Sequence, residues 1–408
     1  MIYQDRSASG CVKYNRQYIK SICSNPDAWP FWVADMDFRC PEAVNEALVR
    51  AAGHGVFGYP SADDTARIAA DFISWRHGCE IDSSLIVPTT GVLNSLSILM
   101  EDTSRGVIIP FPAYKPFVSA CETHGRRVSP WPLSYDGKAH RFFLDFAALE
   151  KLCSSGENDL LIFCSPHNPS GLVFSPEELR RVCEICAAGG VQVICDEIHA
   201  DLTYDGFRHT SFLQAARGTG VRAVTLMAPS KTFNLAGEHF SLAIFPDNES
   251  AAAYKSRLQR LHNSGPSYVD NLMARAAYTG GRDWLEDCIR TISSNADLVD
   301  SFIRSRIPLL GTVKPEASFI CFIDCSQIFE AVLADQDDNP ELYRVQDSPD
   351  ATALSRFFGV RCSVAVNPGT FFGPDYGQFV RFNFGTSRER VLTALQRMEA
   401  GINKLTAV

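Results

Sequence analysis

With 408 residues, 46% of them hydrophobic and 21% charged, the chain has ample material for a large core and room for two or three domains of roughly 100–200 residues. A formal net charge of -9 argues against nucleic acid or an anionic membrane as a partner. No run approaches the roughly 18 apolar residues of a membrane span, and the first residues lack the basic-then-apolar layout of a secretory leader, so the expected location is cytoplasmic. The 14 cysteines do not suggest a disulfide scaffold, which belongs to short, core-poor, secreted chains. Cys164 and Cys195 sit in apolar runs, and Cys183 and Cys186 form a lone C-x-x-C inside a helical pattern, so reduced core thiols and no metal site are expected.

In chain order, a helical pattern over 41–52 runs into GHGVFGYP. Gly53, Gly55 and Gly58 there spell G-x-G-x-x-G, but no strand precedes them and Tyr59-Pro60 follows, so a dinucleotide fold is not expected. Short apolar runs then alternate with amphipathic stretches: SSLIVPTT, RGVIIP, DLLIFCSP, VQVICDE, AVTLMAPS and FSLAIFP read as strands. Between two of them, residues 176–190 read as a helix opened by a Ser175 cap with Glu178 at the capping-box position. Alternation of this kind predicts an α/β fold, a mostly parallel sheet with helices on both faces, over residues 41–265. After Asn263-Ser-Gly-Pro a long helical pattern, the strand-like SFICFIDCS and VRFNFG, and a final helix predict a smaller α+β domain over 266–408. The polar stretch 334–350 is the expected mobile surface loop.

Five strand ends carry chemistry. PTTGVLNSL is a strand, a Gly91 turn and a helix start, where the amides of Val92 and Leu93 are free to bind a phosphate. FPAYKPF offers Tyr114, and CSPHNPSG offers Asn168. VQVICDE ends in Asp196, a carboxylate that needs a cationic partner if buried. AVTLMAPSK ends in Lys231 beside Ser230, and lysine is the side chain that condenses with carbonyl groups. Each feature alone also has a bland reading, as a turn, a cap or a solvated charge. Their order along one sheet matches the needs of pyridoxal phosphate: amides for its phosphate, a ring to stack on, a donor for its phenolic oxygen, a carboxylate for its pyridine nitrogen and a lysine for its aldehyde.

With FWVADMDF, GVFGYP, FPAYKPF, CSPHNPSG, VICDEIHADL, APSKTFNLAG and VRFNFGTSR, the chain resembles the fold-type I pyridoxal-phosphate enzymes of the class I/II aminotransferase superfamily. It is most similar to their cystathionine β-lyase or cysteine-S-conjugate β-lyase branch. The resemblance implies an aspartate-aminotransferase-like large domain that binds the cofactor, with residues 1–40 as an arm contributing to the small domain and the site entrance. It implies that Lys231 holds the cofactor covalently and moves the substrate α-proton, and that Asp196 pairs with the ring nitrogen. Tyr114 stacks on the ring, Asn168 and His199 reach its phenolic oxygen, and Ser230 with Gly91, Val92 and Leu93 holds the phosphate. Arg381 grips the substrate carboxylate, with Ala34, Tyr114 and Asn168 beside the substrate. Tyr59 reaches the phosphate of a neighbouring subunit, so the active unit is a homodimer with shared sites.

The implied reaction is elimination from a sulfur-containing amino acid to thiol, pyruvate and ammonia; transamination and a non-catalytic pyridoxal-binding regulator are the alternatives. Glu238, where the branch usually has an apolar residue, Ala228, where many relatives have a phosphate-binding serine, and Lys115 depart from the pattern and bear on substrate choice.

Overall fold

Apolar runs without polar alternation form strands buried on both faces, and such strands need helices above and below. The computed structural model, which describes residues 1–61, 64–343 and 348–407, has that arrangement. Strands β1 (Ile86–Thr89), β2 (Gly106–Phe111), β3 (Val128–Pro132), β4 (Asn158–Cys164), β5 (Gln192–Asp196), β6 (Ala223–Met227) and β7 (Ser241–Ile244) form one sheet in the order β1-β7-β6-β5-β4-β2-β3. Every pairing is parallel except the two made by β7. Along β4 the two-residue period sends Leu160, Ile162 and Cys164 into one core cluster and Leu161 and Phe163 into another.

Helices α1 (Glu42–His54), α2 (Thr65–His77), α3 (Val92–Leu99), α4 (Lys115–Thr123), α5 (Pro176–Gly189) and α6 (Asn248–Arg260) cover this part of the chain. Residues of α3, α4 and α6 bury against the first face of β4, and residues of α5 against the second. The capping box of α5 forms as its spacing predicts: Glu178 N donates to Ser175 Oγ at 3.1 Å, and Ser175 N donates to Glu178 Oε2 at 2.8 Å. Gly53 lies inside α1 and no strand leads into it, which excludes the dinucleotide turn.

Helix α7 (Tyr268–Gly280) packs against α1 and α2, and α8 (Arg282–Arg306) then carries the chain to a second, antiparallel sheet. Its strands β8 (Gly311–Val313), β9 (Ile320–Asp324), β10 (Asn367–Pro368) and β11 (Phe379–Asn383) lie in the order β8-β9-β11-β10. Ile292 and Val299 of α8, and Leu395 and Met398 of the C-terminal helix Arg388–Thr406, bury against Ile320 and Phe382 of this sheet. The expectation of a loop over 334–350 is corrected for most of its length. Residues 334–338 end the helix Ser326–Asp338, Pro340–Tyr343 is a helical turn, and 344–347 lie outside the described residues. Asp335 fixes this stretch by accepting from Arg361 Nε at 2.9 Å and from Asn339 Nδ2 at 3.0 Å.

The two sheets meet where the loop after β4 touches residues 315–318. Gly171 (φ 70°) accepts through its carbonyl from the amides of Glu316 and Ala317, and a β-carbon there would lie 2.5 Å from Pro315 Cβ. The neighbouring Ser318 N donates to Leu202 O, and Tyr204 Oη donates to Ser318 O at 2.5 Å. Gly171→Ala combines an unfavourable φ with overpacking, so it should lower unfolding free energy by about 1–3 kcal/mol, measured by chemical denaturation.

Candidate active site

Ligands of open α/β sheets bind beyond the carboxyl ends of the strands, and the register here brings three such ends together. Cys164 on β4 lies opposite Asp196 on β5, and Asp196 lies opposite Leu226 on β6. The chain leaves those ends through Asn168, Asp196 and Ser230-Lys231. A cavity of about 610 Å³ opens there, lined by Ala34, Gly91, Val92, Leu93, Tyr114, Asn168, Asp196, His199, Ser230, Lys231 and Arg381 among others. Of the expected site residues only Tyr59 lies elsewhere; it is 105% exposed on the loop after α1. Among the departures, Ala228 and Glu238 line the cavity, whereas Lys115 is exposed with its Nζ 5.3 Å from the Phe371 ring centroid.

Lys231 Nζ donates to Ala34 O at 2.7 Å. Burial holds its pKa down to about 8, with Arg381 adding to the effect and Asp35 and Asp196 opposing it. Asp196 Oδ1 accepts from Ile198 N at 3.0 Å, and no counter-ion bridges it among the described residues. Burial raises its carboxyl to about 7, with Glu197 contributing, against the Ile198 bond and the charge of Lys231. Arg381, 3% exposed, is likewise without a carboxylate partner among the described residues. Its Nη1 donates to Asn168 Oδ1 at 3.1 Å and its Nη2 to Trp32 O at 2.9 Å, while Nε has no partner. Burial lowers this guanidinium to about 10. His199 Nδ1 shares a 2.9 Å hydrogen bond with Ser318 Oγ, and burial with the Lys231 and Arg381 charges drops it to about 3, so the ring is neutral. Gly91 (φ 92°) caps α3 with no side chain bonded to its first amides, and Val92 and Leu93 at its start line the cavity with Ser230.

Three asparagines that motif reading passed over hold this site together. Asn234 Nδ2 donates to Met36 O at 2.9 Å and to Phe38 O at 2.7 Å, and its Oδ1 accepts from Met36 N at 2.9 Å. Asn383 Nδ2 donates to Val33 O and, at 2.7 Å, to Asp35 O, and Asn367 Nδ2 donates to Trp32 O at 3.1 Å. Residues 32–38 are thereby fixed against the lysine loop and the small sheet. Behind them, Lys13, 1% exposed, donates to Asp37 Oδ1 at 2.9 Å, and Arg6 pairs with Asp35 at 2.7 Å. The lysine loop is also anchored from below: Thr232 Oγ1 donates to Asp201 Oδ2 at 2.7 Å, and Asp201 Oδ1 bonds His77 Nε2 at 2.7 Å. An asparagine that bonds backbone carbonyls has no spacing signature; only the clustering of Asn with the other motifs signals it.

A buried carboxylate without a cation, a buried guanidinium without an anion, and free helix-start amides describe a site whose charges are completed by its ligands. Pyridoxal phosphate fits: a protonated ring nitrogen suits Asp196, a phosphate suits the α3 amides with Ser230, and an aldehyde suits Lys231. Arg381, still without an anion, suits a carboxylate. Asp196 titrates higher folded and cofactor-free than unfolded (roughly 3.9), so ionising it destabilises that form as pH rises through the interval. The rise in Tm on adding pyridoxal phosphate should therefore grow from about pH 4 to about pH 7, and grow less in Asp196→Asn; scanning calorimetry reads both. Arg381→Lys, which loses the two-pronged grip, should lower kcat/KM on the order of 10- to 100-fold, chiefly through KM, in steady-state assays.

The class I and II aminotransferase family model matches residues 31–398. The chain is 34% identical over 404 residues to cystathionine beta-lyase PatB of Bacillus subtilis (strain 168), covering 98% of each chain. It is 30% identical to protein MalY of Escherichia coli (strain K12), covering 99% of this chain and 98% of MalY. Its fold superposes on cystalysin from Treponema denticola, which contains a pyridoxal 5'-phosphate cofactor, with a TM-score of 0.86, 26% identity and 100% of each chain covered. The chain belongs to the class I and II aminotransferase family.

Proposed function

We propose that this protein is a pyridoxal-phosphate-dependent carbon–sulfur β-lyase that converts cystathionine or another cysteine S-conjugate, with water, to a thiol, pyruvate and ammonia. The observation that carries the reading is the meeting, in one cavity, of Lys231 with two buried charges that lack counter-ions, Asp196 and Arg381. The kinship with cystathionine beta-lyase PatB supports the choice of elimination. When bound, the cofactor supplies an electron sink for the charge left at the substrate Cα. Asp196 would hold the ring nitrogen protonated, Tyr114 would hold the ring, and Asn168 and the neutral His199 would serve its phenolic oxygen. Gly91, Val92, Leu93 and Ser230 hold the phosphate.

Arg381 fixes the α-carboxylate while its bond to Asn168 keeps the guanidinium oriented, and Ala34 and Tyr114 bound the substrate's near end. Lys231 Nζ, held near neutrality by burial, takes the Cα proton. The electron pair released there forms the Cα–Cβ double bond as the Cβ–S bond breaks, and the sulfur leaves with its own pair as a thiolate. The enamine released reacts with water to give pyruvate and ammonia.

Tyr59 would reach the phosphate pocket of a second copy, and the working unit would then be a homodimer. Its full exposure, with that of Val56 and Phe57 on the same loop and of Val49 on α1, supports a partner there. All fourteen cysteines are free, which supports a reducing, cytoplasmic setting. No helix among the described residues is long and apolar enough to cross a membrane.

The deciding assay incubates the cofactor-loaded enzyme with cystathionine or an S-alkyl cysteine and no keto acid. Thiol and pyruvate should appear in equal amounts; product formed only after a keto acid is added would instead mean transamination. Borohydride should fix the cofactor on the Lys231 peptide, and Lys231→Ala should abolish turnover. Fixation elsewhere, read by mass spectrometry, would overturn the scheme.

A further inference from the structure

Glu238 is the one acid in the cavity wall to which the reaction gives no work. It is 8% exposed, it lines the same cavity as Lys231 and Arg381, and neither carboxyl oxygen has a hydrogen-bond partner. Ala236, Gly237 and His239 around it are exposed, and Ala236 and His239 line the cavity with it, so the position is near the cavity's mouth. No cation bridges it among the described residues. Its nearest charged influence is another acid, Asp270, which is already occupied in capping α7 and accepting from His239 N at 3.1 Å. Burial, with Asp270 adding, raises the Glu238 carboxyl to about 9.

A carboxyl sealed from water without a partner costs free energy, and a ligand that supplies the partner recovers it. The other charges of the site are matched to the near end of an amino-acid substrate and to the cofactor. The far end of the substrate, the group that departs with sulfur, is the part left to meet Glu238. We propose that Glu238 selects substrates whose leaving thiol carries a basic nitrogen, an amine or protonated heterocycle, by pairing that cation with its carboxylate inside the cavity.

The proposal rests on the lyase reading, and an isosteric substrate pair tests it. S-(2-Aminoethyl)-L-cysteine and S-propyl-L-cysteine have the same heavy-atom count and differ in a terminal ammonium against a methyl group. The wild-type enzyme should favour the aminoethyl compound in kcat/KM by tenfold or more, and Glu238→Gln should cut that ratio at least tenfold, about 1.4 kcal/mol. A wild-type ratio at or below one overturns the proposal even if the variant does not fold, as does a ratio unchanged in a Glu238→Gln protein whose cofactor absorbance is normal. A third substrate, S-carboxymethyl-L-cysteine, should be the poorest; if it ranks above the aminoethyl compound, Glu238 acts as a neutral donor and the proposal fails. If no conjugate gives pyruvate without a keto acid, the lyase reading fails separately. The same selectivity is then read as the ratio of Kd values from titrating the cofactor's absorbance with the three compounds.

Discussion

Arg381 Nη1 and Asn168 Oδ1 lie 3.1 Å apart, and through that bond the small sheet is tied to the large one at the wall of the cavity. Strand β11 brings a guanidinium to a place where it is nearly dry, and the cost is met by a carboxamide from the loop after β4, by the Trp32 carbonyl and by the face of Phe372 at 4.9 Å. None of these is an anion. The charge therefore stays available, and the position of the two sheets relative to each other is coupled to how well the cavity can hold a carboxylate. Gly171, three residues after Asn168, sets how closely residues 315–318 approach the same loop, so packing at the seam and chemistry in the cleft are governed together.

The segment 32–38 is the second element on which the cleft depends. It has no regular structure of its own, and its backbone groups are satisfied by side chains from three directions: Asn234 beside the lysine, and Asn367 and Asn383 from the small sheet. Its acids, Asp35 and Asp37, face Arg6 and Lys13 of the N-terminal arm. A buried set of this kind adds little net stability against an apolar alternative, but losing one member strands the others. It fixes the position of Ala34, whose carbonyl meets Lys231.

Much of this was readable from residue order. Both faces of the parallel sheet are apolar in VQVIC and DLLIFC, so the layers followed from runs rather than periodicity, and strand ends are where acids and lysines in such runs must emerge. The capping box at Ser175 was legible because its chemistry is local. What failed was local reading where the partner is distant. The acidic stretch 334–350 looked like solvated loop because its organising contact, Asp335 with Arg361, spans 26 residues of sequence. The asparagine struts left no spacing pattern beyond their nearness to the other motifs, because backbone carbonyls accept from any donor that arrives. Glu238 stood out in sequence only as an unexpected residue; its two unpartnered oxygens in the cavity wall required the fold.

The fourteen free thiols have a consequence for the proposed reaction, which releases thiols. A released thiolate attacks disulfides, and its concentration is highest at the mouth of the cleft that formed it. Here it meets no disulfide to open, and of the cysteines only Cys11 is exposed, on the N-terminal arm and away from the residues lining the cavity. Most of the others are buried with their thiols held protonated, among them Cys164 at the cavity itself, where burial and the charge of Asp196 both act against ionisation. The chain is thus chemically indifferent to the product proposed for it: a reductant can accumulate around it without dismantling any bond that the fold uses.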